Sequence, residues 1–330
     1  MTDNSRESLN LVERIAKRMA AEGPLGASVQ PVGPSIVERA AQKMAAAENQ
    51  AEAPVVPLSA RAPFADLADE GSQDQVTKQV RLDFRTLRQS GMITPDSLSS
   101  GLSNEFRGIK RKLLQKVRDP KTRATVNNLV MVTSSLPGEG KTFSSMNLAI
   151  SLAAERGLRV LLIDADVIRP SVGNMFVSPP SEGLTDLLSG NAKSVSEVMY
   201  SCPDVPNLSV IFAGNPKTNS PELISSGQMA SLCQSLSAGA SDRVIVIDTP
   251  PVLASTESAI LATYVHQLIM VVSSGQTDRL QLRRSLDAVS SCPNISLLFN
   301  KAPRWNEAEY NSYYGYGYGY GDSARTTATE

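Results

Sequence analysis

The chain has 330 residues, which is long enough for one large α/β domain with extensions. Its formal net charge is −1, so no overall electrostatic field favours nucleic acid or an acidic lipid surface as a partner. Its three scattered cysteines lack metal-ligand spacing, which argues against a zinc site and for a reducing cytosol. No apolar run approaches the roughly 18–20 residues of a membrane-spanning helix. The N-terminus also lacks the pattern of a signal peptide, so the sequence predicts a cytoplasmic protein.

The first segment, residues 1–80, is rich in Ala, Glu and Pro and poor in aromatic residues, which predicts disorder. It contains a short repeat, because residues 12–21 reappear with changes as residues 37–46. Each copy has a polar capping residue with Glu three positions later and a helical spacing of apolar residues. Isolated helices this short are marginal in water. We therefore expect two short helices that fold on a partner; transient helices without a role are the alternative.

The second segment, residues 81–125, is predicted to hold a brief amphipathic helix over residues 81–96 and a longer helix over residues 103–117. Eight basic residues and one acid lie between Arg107 and Arg123. Such a run can bind nucleic acid phosphates, but it lacks interleaved aromatic residues, so a solvated or subunit-contacting helix face is the favoured interpretation. We therefore expect a helical linker that supports homo-oligomerisation, and no nucleic acid partner.

In the third segment, residues 126–303, apolar stretches alternate with helical stretches. The continuous Val, Ile and Leu runs indicate strands covered on both faces, as in a parallel sheet. The predicted fold class is α/β, with a mostly parallel sheet and helices on both faces. The predicted strands are residues 129–133, 160–163, 208–212, 244–247, 268–272 and 295–299, and the predicted helices are residues 142–155, 221–236 and 279–290.

The first of these strands leads into SSLPGEGKT, residues 134–142, and then into a helix, which is the setting of a phosphate-binding loop. Gly138 and Gly140 allow backbone amides to turn toward phosphate oxygens. Lys141 adds a charge for the β- and γ-phosphates, and Thr142 offers a hydroxyl to Mg²⁺. Although Ser135 replaces the usual first glycine of this loop, the setting predicts a P-loop NTPase-type domain that binds ATP with Mg²⁺.

Three acidic residues follow predicted strands. Asp164 and Asp166 come at the end of one strand, and Asp248 comes at the end of another. The carboxyl ends of parallel strands meet at the ligand-binding edge of the sheet. A divalent ion needs oxygen ligands of this kind, and a tyrosine hydroxyl needs a base in line with the γ-phosphate. We therefore expect the three carboxylates to surround the phosphate loop.

The last segment, residues 304–330, contains six of the eight tyrosines of the chain, mostly separated by glycine. A nucleotide site together with a flexible tail of phenolic hydroxyls is what a kinase acting on its own tyrosines needs. The segment is therefore predicted to be a phosphoacceptor tail. Its candidate acceptors are Tyr310, Tyr313, Tyr314, Tyr316, Tyr318 and Tyr320.

These motifs together carry a family resemblance. The order SSLPGEGKT, LLIDAD, VIVIDTPP and then a C-terminal tyrosine cluster resembles the bacterial protein tyrosine kinases of capsule and exopolysaccharide assembly. The segment NPKTNSPELISS, residues 215–226, also resembles that family, and the absence of membrane spans resembles its split form, in which the kinase is a separate cytosolic chain. Residues 82–114 resemble more particularly the tyrosine autokinases linked to exosortase-associated loci.

The resemblance implies roles for individual residues. Lys141 is implied to contact the phosphates, with Thr142 on Mg²⁺ and Asp248 on the ion through water. Asp164 is implied to be the base toward tyrosine, and Asp166 a second magnesium or catalytic carboxylate. The candidate catalytic residues are Lys141, Asp164 and Asp166; the candidate metal-binding residues are Thr142, Asp166 and Asp248; the candidate nucleotide-binding residues are Gly138, Glu139, Gly140, Lys141, Thr142, Phe143 and, at the adenine-reading position, Asn300.

The resemblance also implies partners. It predicts a membrane polysaccharide co-polymerase or chain-length regulator, bound through the N-terminal helices, which would place the kinase peripherally at the inner membrane. It is compatible with a cognate tyrosine phosphatase and with a homo-oligomer formed through residues 103–117. The family's Glu-x-x-Arg-x-x-Arg oligomerisation motif is incomplete, since Lys110 replaces the second arginine and Asn104 stands three residues before Arg107. The arginine that the family commonly places two residues after the second aspartate is also displaced, from Ile168 to Arg169.

Two other functions use the same motifs. A positioning ATPase of the cell-division and partition type shares the sheet and the phosphate loop, but those proteins carry a lysine that reaches across a dimer where this chain has Leu136. A nucleotide-dependent scaffold would use the Gly/Tyr tail for stacking or assembly without phosphate chemistry.

Overall fold

The computed structural model describes residues 78–97, 100–118, 128–216, 220–237 and 242–302. The two predicted N-terminal helices and the tyrosine-rich tail lie outside these residues. The strands are β1 Arg81–Leu82, β2 Leu129–Ser134, β3 Arg159–Asp164, β4 Phe176–Val177, β5 Met199–Ser201, β6 Leu208–Ile211, β7 Arg243–Asp248, β8 Gln267–Ser273 and β9 Ile295–Asn300. The helices are α1 Phe84–Gln89, α2 Gly101–Val117, α3 Lys141–Ala153, α4 Leu184–Leu188, α5 Ser220–Ile224, α6 Gly227–Ser237, α7 Glu257–Leu261 and α8 Arg279–Ala288.

Seven strands form one sheet in the order β5-β6-β3-β7-β2-β8-β9. All neighbouring strands in it are parallel except β5, which pairs antiparallel with β6. Alternate residues of β2 point to opposite faces: Val130 and Val132 pack in the core that includes α2 and α3, whereas Leu129 and Met131 pack in the core formed with α4 to α8. The predicted fold, a mostly parallel sheet between two helical layers, is confirmed.

The six predicted strands are all present, each end within one residue of the prediction. The elements that the sequence pattern missed are short: β1 and β4, which pair with each other, β5 at the sheet edge, and helices α4 and α7. Strands of two or three residues and helices of five are too short to show a hydrophobic period. Among the described residues, no helix combines the length and the apolar character needed to cross a membrane.

The predicted helix over residues 81–96 is wrong at both ends. Its first residues form β1, and the helix begins only after Asp83, whose carboxylate accepts hydrogen bonds from the backbone of Arg85 and Thr86. The helix ends at Gln89, and Gly91, two residues later, has a positive φ of 65°. Beyond it the backbone N–H of Ile93 donates to the Asn147 side chain at 2.6 Å, which ties this segment to α3.

The predicted helix over residues 221–236 is two helices, α5 and α6. The hydroxyl of Ser226 donates to the backbone carbonyl of Leu223 at 2.6 Å and accepts from the backbone N–H of Met229 at 3.4 Å. A serine side chain that bonds the local backbone in this way competes with the helical ladder and starts a new helix.

Candidate active site

The candidate phosphate loop, residues 134–142, joins the buried end of β2 to the first turn of α3. Gly138 and Gly140 have φ values of 81° and 97°, a region that glycine adopts without a steric cost. A Cβ on Gly140 would lie 2.0 Å from the Nδ2 of Asn300, so any other residue there would displace the Asn300 side chain as well as strain the backbone. Ser135, at the position of the usual glycine, is fully buried. The loop thus ends at a helix N-terminus, where backbone N–H groups can bind phosphate oxygens.

Lys141 forms a buried ion pair at this helix N-terminus. Its Nζ lies 2.7 Å from Asp166 Oδ2, and the two side chains are only 11% and 4% exposed. Burial lowers the pKa of Lys141, but the negative charges of Asp248 and Asp166 outweigh this effect and hold the pKa above its ordinary value. A charged ammonium group is therefore fixed at the carboxyl end of the sheet.

Asp248, the last residue of β7, is held by hydroxyl groups of α3. Thr142 Oγ1 donates to Asp248 Oδ2 at 2.6 Å and also lies 2.7 Å from Ser171 Oγ. Ser145, one turn further along the helix, donates to Asp248 Oδ1 at 2.9 Å. Burial raises the pKa of Asp248, although the charge of Lys141 and the two hydroxyl donors oppose the shift. A carboxylate and a hydroxyl are therefore side by side next to the loop.

Asp164 ends β3 and lies directly opposite Asp248 in the register of the two parallel strands. Its Oδ1 accepts from the backbone N–H of Asp166 at 3.1 Å, and its Oδ2 accepts from those of Ser171 and Val172 at 3.2 and 3.1 Å. Burial, followed by the negative charge of Asp248, raises the pKa of Asp164 to about 8. A carboxyl group whose pKa lies near the working pH suits proton transfer.

The donor set fits Mg²⁺ bound together with a nucleotide. Three carboxyl groups and one lysine share this end of the sheet, so acidic groups outnumber basic ones there. In the part of the chain that the structure describes, no three His, Cys, Asp or Glu side chains are grouped to hold a metal by themselves. Mg²⁺ does not need such a group, because it usually takes one or two protein oxygens, several waters and substrate phosphates. The Thr142 hydroxyl and the Asp248 carboxylate are oxygen donors of this kind.

Three other residues predicted to bind the nucleotide have side chains that contact other groups of the protein. The Glu139 carboxylate accepts from the backbone N–H of Leu136 at 2.8 Å and from the hydroxyl of Thr277. The Phe143 ring packs against the core that includes α2 and α3. Asn300 Nδ2 donates to the backbone carbonyl of Glu139 at 2.9 Å. We therefore expect Glu139 and Phe143 to act through their backbone amides, while Asn300 contacts the loop itself.

Sequence reasoning missed four residues that contact this machinery: Ser145, Ser171, Thr277 and Lys301. Ser145 could have been found from helical spacing, because it lies four residues after Lys141 on the same helix. The other three lie outside the regular helices and strands, far from the loop in sequence, and no local pattern marks them.

The structure shows the surroundings of the residues that depart from the family's motifs, Lys110 in the oligomerisation motif and Ile168 and Arg169 after the second aspartate. Lys110 is engaged within the chain, since its Nζ lies 2.8 Å from Glu155 Oε2 and its side chain is only 14% exposed. The Arg169 backbone N–H donates to Asp166 Oδ1 at 3.0 Å, while Ile168 is 52% exposed. Homo-oligomerisation through α2 stays a prediction. Lys110 itself forms its ion pair within one chain, where it stabilises the fold.

The chain is similar to known proteins in both sequence and structure. A family model described as ParA: NUBPL iron-transfer P-loop NTPase matches residues 125–292. The chain is 33% identical over 226 residues to Tyrosine-protein kinase YwqD of Bacillus subtilis. The match covers 68% of this chain and 90% of that protein. The chain is 35% identical over 161 residues to Tyrosine-protein kinase ptk of Acinetobacter johnsonii, but there the match covers 49% of this chain and only 21% of the relative's length. The solved BceF Tyrosine Kinase Domain is similar with a TM-score of 0.52 and 26% identity, covering 72% of this chain and 93% of that one.

Proposed function

Because this chain belongs to the bacterial tyrosine-protein kinases, a family built on a ParA-like P-loop NTPase fold, we propose that it is an ATP-dependent autokinase that phosphorylates tyrosines in its own residues 304–330. One observation carries the proposal: carboxylates from two strand ends meet the lysine and the threonine of the phosphate loop in direct hydrogen bonds. The tyrosine cluster of the same chain supplies the hydroxyl nucleophiles.

The proposed binding of ATP uses the start of α3. Backbone amides of the loop and the Lys141 ammonium hold the β- and γ-phosphates, while Asp166 keeps that ammonium at the sheet edge. Thr142 and Asp248 would hold Mg²⁺. When bound, the ion supplies positive charge that neutralises the phosphate oxygens. Ser145 and Ser171 fix the two side chains that would hold it, because each donates to or contacts one of them.

In the proposed transfer step, the phenolic oxygen of a tail tyrosine forms a bond to the γ-phosphorus. The bond between that phosphorus and the oxygen bridging it to the β-phosphate breaks, and ADP leaves with the electron pair. The phenolic proton passes to the carboxylate of Asp164. Three backbone N–H groups hold this carboxylate at the end of β3, so it is positioned rather than mobile.

The test is incubation of the purified full chain with Mg-ATP, followed by mass spectrometry of the tail. Phosphate on tyrosines 310–320 is the expected result. Lys141→Met should abolish it without loss of the fold, because the substitution removes the charge that contacts the phosphates. Lys193→Met, at an exposed lysine between α4 and β5, is the matched control and should behave as the original chain. Robust tail phosphorylation by the Lys141 variant would contradict the assignment.

The same experiment separates the two other functions. A positioning ATPase or a nucleotide-dependent scaffold would bind ATP, and the ATPase would also hydrolyse it, with an unmodified tail. The position of Leu136, whose backbone N–H donates to Glu139 inside the loop, disfavours the positioning ATPase, since no lysine stands there to reach a second subunit.

We also propose that the kinase regulates exopolysaccharide polymerisation or export from a peripheral position at the inner membrane. The support is its motif resemblance to the kinases of capsule and exopolysaccharide assembly. Its proposed partner is a membrane polysaccharide co-polymerase or chain-length regulator, contacted by the repeated N-terminal segments, residues 12–21 and 37–46. A homo-oligomer and a cognate tyrosine phosphatase belong to the same proposal.

A further inference from the structure

The end of β9 contacts two consecutive carbonyl groups of the phosphate loop. Asn300 Nδ2 donates to the carbonyl of Glu139 at 2.9 Å. Lys301, the next residue, donates from its Nζ to the carbonyl of Gly138 at 2.7 Å. Lys301 has a positive φ of 54°, which is uncommon for a residue with a side chain. Two neighbouring side chains at the end of β9 thus both donate hydrogen bonds to the backbone of the phosphate loop.

These contacts have a defined consequence for the loop amides. In a trans peptide the N–H and the C=O of one unit point in opposite directions. Holding the carbonyls of Gly138 and Glu139 from one side therefore turns the N–H groups of Glu139 and Gly140 to the other side. These two N–H groups directly precede the first turn of α3, where the phosphate groups of the proposed nucleotide bind.

The loop after β8 supports the same arrangement. Gln276 Oε1 accepts from Lys301 Nζ at 3.2 Å and from the Ser273 hydroxyl at 2.9 Å. Thr277 donates to the Glu139 carboxylate and accepts from the Ser273 backbone N–H at 3.0 Å. The phosphate loop is therefore attached to the ends of both β8 and β9, although neither strand is next to it in sequence.

We propose that Lys301, together with Asn300, is a positioning residue that orients the phosphate loop for its ligand's phosphate groups, whatever base that ligand carries. This inference rests on the nucleotide site of the proposed function. Lys301 acts through the peptide units of Gly138 and Glu139 and does not itself touch the nucleotide. Its contribution therefore appears in the binding of phosphate groups and not in recognition of adenine.

The test measures binding of Mg-ATP and of inorganic triphosphate, which has no base, to the full chain by competition with a fluorescent nucleotide. Loss of a hydrogen bond of this kind typically weakens binding by roughly three- to tenfold. Lys301→Met should weaken ATP and triphosphate by the same factor. In a tail-phosphorylation assay it should raise KM for ATP by that factor and leave kcat nearly unchanged. Lys301→Arg keeps a charged donor and should restore most of the affinity.

Lys193→Met removes the same charge from an exposed site remote in sequence and should bind both ligands as the original chain does. Equal affinities for the original chain and Lys301→Met would overturn the inference. A loss for ATP but not for triphosphate would also overturn it, because it would place Lys301 on the nucleoside. If the original chain binds both ligands but leaves its tail unmodified, the proposed kinase function fails, while a shared loss in Lys301→Met still supports the positioning role.

Discussion

The carboxyl group of Asp164 accepts hydrogen bonds from three backbone N–H groups, while burial raises its pKa to about 8. The amides fix where the group sits, and the raised pKa makes its ionised form a stronger base than an ordinary carboxylate. By contrast, Asp166 is paired with Lys141, and Asp248 with the hydroxyls of Thr142 and Ser145. The three carboxylates are therefore distinguished by their partners, and each supports a different proposed role.

Asp164→Asn should lower tail phosphorylation by about 10²–10⁴-fold, the usual contribution of a positioned base. ATP affinity should stay nearly unchanged, because the groups proposed to hold the phosphates and Mg²⁺ are retained. Quantitative phosphotyrosine mass spectrometry and equilibrium nucleotide binding measure the two effects. Asp287→Asn on the exposed side of α8 is the matched control. Loss of ATP binding in Asp164→Asn would instead give Asp164 a role in holding the metal.

The pKa of Asp164 also predicts how the stability of the nucleotide-free protein depends on pH. The folded-state pKa of about 8 lies above the unfolded value of 3.8, so between these values the folded protein binds more protons. Its free energy of unfolding therefore falls as the pH rises through this window. Thermal unfolding at pH 6, 7, 8 and 9 should show a Tm that decreases up to about pH 8 and then levels off.

The control for this prediction is Asp164→Asn, which removes the titrating group. Its Tm should depend less steeply on pH over the same range, whatever its Tm at pH 6. Parallel pH profiles for the two proteins would show that other groups cause the slope.

At the scale of elements, α2 is joined to the sheet domain by its apolar face. Phe106, Leu113 and Leu114 are buried in the core shared with α3. The ion pair between Lys110 and Glu155 links α2 to the segment that follows α3. Residues predicted from sequence as a linker are thus part of the packed domain, and the outer face of α2 is what a second subunit could contact.

Phe106→Ala should destabilise the protein by about 3–5 kcal/mol, because it removes a large side chain from a packed site that is only 3% exposed. Chemical denaturation of the nucleotide-free protein measures this change. Glu105→Ala, the exposed neighbour on the same helix, should change the free energy of unfolding by no more than about 0.5 kcal/mol. Similar small effects of both substitutions would mean that α2 does not contribute to the cooperative core.

At the scale of the whole molecule, the described domain contains the candidate catalytic groups, and the proposed acceptors and membrane contact lie in the segments on either side of it. Two weak sites linked in one chain gain avidity when both engage the same partner. This is the physical reason for assigning the repeated N-terminal segments to one membrane protein.

Deleting residues 1–50 should release the kinase from membrane fractions, since it removes both copies of the repeat. The ATP affinity of the purified protein should not change, because the phosphate loop lies in a separate part of the chain. Fractionation and immunoblotting of cells that express the two forms measure the first effect, and equilibrium binding measures the second. Unchanged membrane association of the shortened chain would contradict the proposed contact.

The sequence alone determined much of the fold and of the site. The continuous apolar runs located the six strands, because a strand buried on both faces has few polar positions. The expectation of burial on both faces was wrong for β9, which lies at the sheet edge and leaves Leu297 and Phe299 exposed. The loop SSLPGEGKT located Lys141 and Thr142, because its chemistry requires those residue types at adjacent positions. Asp164 and Asp248 were found because each follows a buried strand. These are all local patterns, in which the residues that act together are neighbours along the chain.

Only the tertiary structure decided which distant residues meet. β3 and β7 are neighbours in the sheet, so Asp164 lies opposite Asp248, and no local pattern encodes that strand order. The hydroxyl of Ser171 reaches Thr142 because the chain after β3 turns back, so that the Ser171 backbone N–H donates to Asp164. Lys301 contacts Gly138 because β9 ends beside that loop, 163 positions away in sequence. Strand order and loop paths follow from the packing of the whole core, so contacts of this kind appear only when the chain is folded.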